Sequence, residues 1–426
     1  MDASLTILDK NLIKTFTIDT YKSLIWTERY NQYGDFEVQI PIDESSFSKK
    51  LLETNEAGET IWMDCYASIQ GSDNLMFLEQ FRITDNPEND GKLLVITGRS
   101  LESILMRRII WGLKILNDTL QNGIQSLLND AIISPSDENR RIDNFTFLAS
   151  IDPAITSLNL VAQYTGDNLY DVITSICSKN KLGFKVVFDD QSGNFVFSLY
   201  AGKDHSYDQD VNPYVIFSYK YENLLNSDYL ESNGFYKNVV LVAGEGNGSI
   251  KKYVSVGEAS GLDRREMFTD AGSIRSNSSG FTILQSKPSD WETNWTSYYI
   301  NTGDSDNPNY EQLIGSSAPT WMTNTFYKYD QDVIVPESEY EEMLTQRGQK
   351  DLDENIPIKS FNGEIDPFTM YKYGVDFSIG DIVQISDGYG KTAKCRVSEL
   401  IRSFDDSGFT VYPTFYTIKE DENDNN

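Results

Sequence analysis

Leu24-Ile25-Trp26-Thr27-Glu28-Arg29-Tyr30-Asn31-Gln32-Tyr33-Gly34-Asp35-Phe36-Glu37-Val38-Gln39-Ile40-Pro41 is the stretch from which the rest of the chain is read. Phe36, Val38 and Ile40 alternate with Asp35, Glu37 and Gln39, the two-residue period of a strand with one face packed and the other wet. Upstream, Ile25 and Trp26 belong to an earlier strand. Asn31 to Gly34 supplies turn chemistry, so the unit reads as a hairpin with a Trp-Thr-Glu-Arg-Tyr corner.

Outward from this hairpin the same texture recurs. Leu5 to Leu8 and Ile13 to Ile18 bracket an Asp9-Lys10-Asn11 turn, Ser45 to Glu53 has helical spacing, and Thr60 to Ile69, Leu75 to Thr84 and Lys92 to Gly98 read as strands. From Arg99 the pattern changes. Ser100 to Arg107, Thr119 to Ile132 and Asp167 to Asn180 carry apolar residues three and four apart, with Asp118 expected to cap the second helix and Asn168 or Asp167 the third. Gly183 is expected to end that third helix. Phe184 to Phe188 and Asn194 to Leu199 form a hairpin about Asp189 to Gly193, which lacks the donor spacing of a calcium loop and reads as a tight turn. Val215 to Tyr219 and Tyr236 to Val242 are further strands. Glu337 to Asn355 is a helix by period, and Lys359 to Ile365, Lys394 to Ile401 and Gly408 to Tyr416 are strands.

The 426 residues suffice for about two to four domains. Strands outnumber helices, so the fold class is mainly β with α+β insertions. A net charge of -29 argues against a surface that grips nucleic acid through phosphates, and it suits the wall of a channel along which DNA slides without sticking. Cys65, Cys177 and Cys395 are too scattered for a disulfide framework or a CxxC metal site and read as buried apolar residues in a reduced compartment. No signal-peptide pattern and no apolar run of bilayer length is present, so synthesis in the cytoplasm is expected. His205 is the single histidine, which removes any relay or zinc site built on two. Two carboxylates are all a glycosidase needs, and composition does not remove that class. No catalytic residue, metal site or cofactor is expected.

The segment Gln285 to Tyr327 is rich in Trp and Tyr. Trp291, Trp295, Tyr298, Tyr299 and Trp321 stand as possible glycan or partner contacts, but a tiny core in which the three tryptophans pack on one another is the favoured reading, because so short a module has few other ways to stabilise itself. Gly244 to Gly248 lacks the Lys-Ser/Thr of a phosphate loop and reads as a strand connection. Asp304 and Asp306 are oxygen donors whose spacing does not itself define a cation site.

Three stretches carry a resemblance. They are Trp26, Glu28, Arg29, Tyr30, Gly34, Asp35, Phe36 and Glu37; then Asn238-Val239-Val240 with Gly261-Leu262-Asp263-Arg264-Arg265-Glu266; then Asp376-Phe377-Ser378-Ile379-Gly380-Asp381-Ile382-Val383. In this order they resemble bacteriophage tail-tip hub proteins, the siphophage tail-associated Gp37-like family, related in fold to the baseplate hub of contractile tails. The resemblance implies two tail-tube-like β-barrels, the first in residues 1–98 and the second in 203–280 with 331–418. An α+β insertion would occupy 99–202, a Trp/Tyr-rich insertion 281–330, and an acidic tail 419–426. It further implies a homotrimer whose six barrels cap the tail tube in the virion, anchor receptor-binding or spike proteins and open for genome passage. Itself, the tube or distal tail protein and the spike proteins are the expected partners, with DNA passing unbound. The family often carries a cell-wall hydrolase at the C-terminus, and this chain ends just after the second barrel. The alternative is a glycan-binding or glycan-hydrolysing tail protein working through the Trp-rich insertion.

Overall fold

A computed structural model describes residues 4–42, 46–85, 91–246, 251–274, 281–284, 288–289, 297–303, 310–313, 325–329, 337–365, 370–386, 392–405 and 408–417. The fold is mainly β, built on one ten-stranded sheet. Its spine is the 14-residue strand Thr392–Asp405, which pairs from Cys395 to Asp405 with Gly408–Thr417. On its other edge the strand is shared. Thr392 to Arg396 pairs with Ile382–Ser386, while Glu399 to Asp405 pairs with Ser23–Arg29, the strand of Trp26. The sheet then continues through Asp35–Ile42 and Lys92–Arg99 to Gln80–Asp85 at one edge, and through Gly408–Thr417 and Ile358–Ile365 to Leu224–Ser232 at the other. Strands from the first hundred residues and from the last hundred therefore lie side by side.

The pairing with Gly408–Thr417 slips between Val397 and Glu399, leaving Ser398 as an extra residue. One inserted residue turns every following side chain to the other face. Cys395 and Val397 are buried before the bulge, and Leu400, Arg402 and Phe404 after it. Cys395, Val397 and Leu400 join Phe217, Phe377 and Phe415 in one core, whereas Phe404 joins Trp26, Phe36 and Val38 in another. That second core is closed by a four-stranded sheet ordered Lys14–Ile18, Leu5–Leu8, Tyr66–Ile69 and Met76–Phe77.

A third core fills residues 101–199. The sheet Phe145–Leu148, Asn194–Tyr200 and Gly183–Asp189 packs with the helices Leu120–Leu128 and Leu169–Lys179. A fourth core lies between the helix Glu337–Glu354 and the sheet of Val239–Ala243, Tyr253–Val256 and Glu266–Asp270, through Tyr340, Met343, Leu344, Val240 and Val242. Cys65, Cys177 and Cys395 are buried free thiols.

Several local expectations are corrected. Leu75 to Thr84 is two strands in different sheets, because Leu78 donates to Cys65 O and Glu79 to Thr97 O as the chain crosses between them. Of Thr60 to Ile69 only Tyr66–Ile69 is extended. The preceding turn is held by Met63 N donating to Thr60 O and by the indole of Trp62 donating to Lys50 O at 2.6 Å. Leu101–Arg107 is a 3-10 helix. Thr119, not Asp118, caps Leu120–Leu128, its hydroxyl accepting from Asn122 N at 3.3 Å, while the Asp118 carboxylate holds Thr119 N and the Asn122 side chain. Asn168 caps Leu169–Lys179 as expected. That helix stops at Asn180, with Lys181 at φ 56°, and Gly183 already starts the next strand.

Candidate functional site

The first and third sequence motifs, about 350 residues apart, meet where the long Thr392–Asp405 strand passes between two cores. Trp26 and Phe36 point into one of them, with ring centroids 5.6 Å apart. On the same hairpin Arg29 donates to Asp35 Oδ2 and to Glu399 Oε1, each at 2.5 Å, and to Tyr33 O at 3.1 Å. Burial works against its charge, yet the hydrogen bonds to Asp35 and Glu399 outweigh it and hold the guanidinium above its ordinary pKa. Gly34 N donates to Ser100 Oγ at 2.7 Å, which ties the hairpin to the residues that follow Arg99.

Tyr30 is the pivot of the junction. It is fully buried, donates its hydroxyl to Lys181 O at 2.8 Å, accepts from Gly202 N at 3.3 Å, and meets the ring of Tyr200 edge-on at 5.3 Å. Arg396 lies over its face at 5.1 Å and donates to Gly380 O at 2.5 Å. Burial pushes the Tyr30 phenol up to about 12, against the opposing pull of Arg396. Two glycines make room for the ring. A Cβ on Gly380, which sits at φ 95°, would stand 2.2 Å from Tyr30, and one on Gly183 would stand 2.5 Å from both Tyr30 and Tyr200. The role of Gly183 is this close approach rather than helix termination.

Asp381 of the third motif is a buried carboxylate that organises its own loop. It accepts from Lys203 N at 2.7 Å and Ser378 N at 2.8 Å, and His205 Nε2 lies 3.6 Å away. His205, only 6% exposed, faces Pro213 O through Nδ1 at 2.7 Å, so that nitrogen carries the proton and donates. Asp376 accepts from Lys372 N, and Phe377 packs edge-on against Phe217 and Tyr373.

A polar cleft of about 660 Å³ opens at this junction, lined by Glu28, Glu102, His205, Tyr373, Asp381 and Arg402 among others. Arg402 pairs with Glu28, their side chains 8% and 11% exposed. The same carboxylate accepts from Ser72 Oγ at 2.7 Å, and Arg402 donates to Gly71 O at 3.2 Å. Glu102 is buried, pairs with Ser100 Oγ and accepts from Val186 N at 2.8 Å; desolvation raises its pKa in spite of those bonds. Glu28, Glu102 and Asp381 are each held by a partner from a distant part of the chain. Such an arrangement locks elements together. Among the described residues no group of three His, Cys, Asp or Glu side chains is placed to hold a metal ion.

The second motif stands apart. Asn238 Nδ2 donates to Asp263 O at 2.7 Å and its Oδ1 accepts from Arg265 N at 2.8 Å, which pins the loop 261–265 to the Val239–Ala243 strand. Arg264 pairs with Glu266 at 2.6 Å, and Arg265 donates to Asn233 O and lies 5.8 Å over the ring of Tyr236. Within the Trp/Tyr-rich stretch, Trp291, Trp295 and Trp321, together with Asp304 and Asp306, lie outside the described residues. Tyr298 is buried with Leu313 and Phe326 in a small core, and Tyr299 is half-buried beside it.

Residues 4–415 match the family model described as Siphovirus ReqiPepy6 Gp37-like protein. The chain belongs to this family. Among solved structures, this Gp37-like chain is similar to the 43 kDa tail protein of prophage MuSo2 from Shewanella oneidensis. The match has a TM-score of 0.52 and 10% identity, and covers 98% of both chains. It is similar too to the tail protein from Neisseria meningitidis MC58, with a TM-score of 0.51 and 10% identity over 98% of this chain and 97% of that one. At such identity the likeness is one of fold. No curated protein sequence matches.

Sequence reading missed several members of the Gp37-like chain's junction: Arg396, Arg402, Glu399, Glu102, Ser72 and the burial of His205. A signal existed for Arg402, which falls between Leu400 and Phe404 on the inward phase of a strand, where an unpaired charge is costly. Its partner Glu28 lies 374 residues away, and no local pattern names it.

Proposed function

We propose that this Gp37-like chain is a structural hub of a siphophage tail tip. Three copies close into a ring that caps the distal end of the tail tube, carries receptor-binding or spike proteins and opens for the genome. Two tail-tube-like units, residues 1–98 and residues 203–280 with 331–418, would alternate around the ring; 99–202 and 281–330 are insertions, and 419–426 is an acidic tail. The observation that carries this reading is membership of the Gp37-like family across residues 4–415. The chain-long likeness in fold to two tail proteins supports it.

The junction at Tyr30 adds a physical reason. A ring that transmits the pull of attached spikes needs its units fixed to one another within each chain. The shared Thr392–Asp405 strand, the Glu28–Arg402 pair and the close Tyr30–Gly380 contact supply that rigidity. The net charge of -29 suits a channel wall that DNA crosses without adhering. The role is non-enzymatic, and the protein is made in the host cytoplasm before it joins the virion.

Light scattering of the purified chain over a range of concentrations tests the stoichiometry. A mass three times the 48.4 kDa of one chain, or a concentration-dependent approach to it, is expected. A strict monomer in the presence of the distal tail protein would overturn the ring. Release of soluble sugar from cell-wall or capsular polysaccharide would overturn the non-enzymatic role.

A further inference from the structure

His205 is the single histidine of the chain, and both of its ring nitrogens face oxygen. Nδ1 donates to Pro213 O at 2.7 Å, and Nε2 lies 3.6 Å from Asp381 Oδ2. A neutral imidazole has one N–H, so with Nδ1 donating, Nε2 turns a lone pair toward a carboxylate. The imidazolium has a donor for each oxygen. The site therefore completes its bonding only when the ring is charged.

Asp381 ties that proton to the fold. Its carboxylate holds Lys203 N and Ser378 N, and the backbone beside it is bridged by His205 N donating to Ile382 O and Ile382 N to Lys203 O, each at 2.8 Å. The segment that follows the Asn194–Tyr200 strand is thereby clasped to the third motif, next to Gly202, whose N–H reaches Tyr30. The ring is buried, yet it borders both the 660 Å³ cleft and a second cavity of about 210 Å³, so solvent protons reach it in the folded chain.

The other ionisable groups nearby are accounted for. On its own segment Asp204 holds Ser206 N, Asp208 pairs with Lys394, and Asp210 accepts from the Tyr214 hydroxyl. Asp376 holds Lys372 N, Glu28 pairs with Arg402, Arg29 with Asp35 and Glu399, and Glu102 with Ser100 and Val186 N. Lys185, Lys203, Asp73 and the phenols of Tyr200, Tyr371 and Tyr373 complete the lining. Asp381 is the carboxylate that reaches the ring.

We infer that His205 is an acid-strengthened clasp: by taking up a proton at Nε2 it closes an ion pair with Asp381 and tightens the hold of the 203–215 segment on the third motif. Imidazole changes charge between about pH 8 and 5, where a free aspartate of pKa about 3.9 stays ionised. A proton that the closed clasp binds better than the open one favours closure as pH falls through that window, and closure weakens as pH rises through it.

Hydrogen exchange of the full chain at pH 7.5 and 5.5, corrected for intrinsic rates, tests this at Lys203 N and Ser378 N. A chain of net charge -29 also relaxes its general repulsion in acid, so the reading is the difference from His205→Gln and Asp381→Asn, with circular dichroism melts to show that both variants fold. Acidification should raise protection at the two amides roughly fivefold or more in the wild type beyond the change in either variant. Asn122 N, in the cap of Leu120–Leu128, should respond alike in all three chains. An equal pH response at Lys203 N and Ser378 N in wild type and His205→Gln would overturn the inference, as would a wild-type clasp that loosens in acid. If a variant does not fold, imidazole ¹⁵N spectra of the wild type decide, because the chain has a single ring to observe. At pH 5.5 both nitrogens should carry protons and the Nε2 proton should exchange at least about fivefold more slowly than that of free imidazolium. An Nε2 proton that exchanges as fast as the free one would overturn the clasp.

Discussion

Replacing Arg402 by Met probes the junction most sharply. The guanidinium is 8% exposed, pairs with a Glu28 carboxylate that is 11% exposed, and is held further by Gly71 O. Met fills much of the same volume, so packing loss is small and the change isolates the charge. Removing one partner of a buried pair costs roughly 3–5 kcal/mol, because the other charge is left in a poorly solvated site. Here Ser72 Oγ still donates to Glu28 and the adjacent cleft admits water, which places the expected loss near the lower end, about 3 kcal/mol. Pairing Arg402→Met with Glu28→Leu removes both charges, and the double variant should recover most of that loss. The assay is urea unfolding followed by fluorescence, since Trp26 lies in the Glu28 strand and in the adjoining core. A loss below about 1 kcal/mol for Arg402→Met, typical of exposed pairs, would refute the claim that this pair locks the junction. So would a double variant no more stable than the single one.

Other outcomes follow from the same geometry. Gly380→Ala places a methyl carbon 2.2 Å from the Tyr30 ring on a residue at φ 95°, and should lower stability by roughly 2 kcal/mol or more in a urea titration. Tyr30→Phe keeps the ring and removes the hydroxyl that reaches Lys181 O and Gly202 N; a loss of about 1–2 kcal/mol at neutral pH is expected from melts. For pH, the folded phenol is pushed up to about 12 from an ordinary value of 10. Its contribution is therefore complete below pH 10 and is lost as pH rises from 10 through 12. Wild type should lose more stability than Tyr30→Phe across that window, and parallel pH profiles would contradict the burial of the hydroxyl. Thr119→Ala should cost about 1 kcal/mol by removing the cap of Leu120–Leu128, whereas Asp118→Ala, exposed and outside the cap, should cost less in the same melts.

What the sequence revealed was what lies within one period of a helix or strand. The alternation of Phe36, Val38 and Ile40 announced Asp35–Ile42, and the spacing of Tyr340, Met343, Leu344 and Leu352 announced Glu337–Glu354. What it hid was set by partners far along the chain. The strands Lys114–Thr119 and Asn159–Tyr164 went unread because they pair only with each other, with Ile115 and Val161 packed against the distant Glu337–Glu354 core. Leu224–Ser232 went unread because Leu225 and Leu230 face water at a sheet edge and break the expected alternation. The motif residues stood out as a resemblance, yet their physical purpose did not. That Gly183 and Gly380 exist to admit Tyr30, and that Asp381 holds the Lys203 backbone, depends on contacts across some 150 to 350 residues.

The most direct test of the hub reading is electron microscopy of the full chain, alone and with its distal tail protein. Class averages with three-fold symmetry and a central opening are predicted. Single copies, open strings, or closed rings of another symmetry would contradict it.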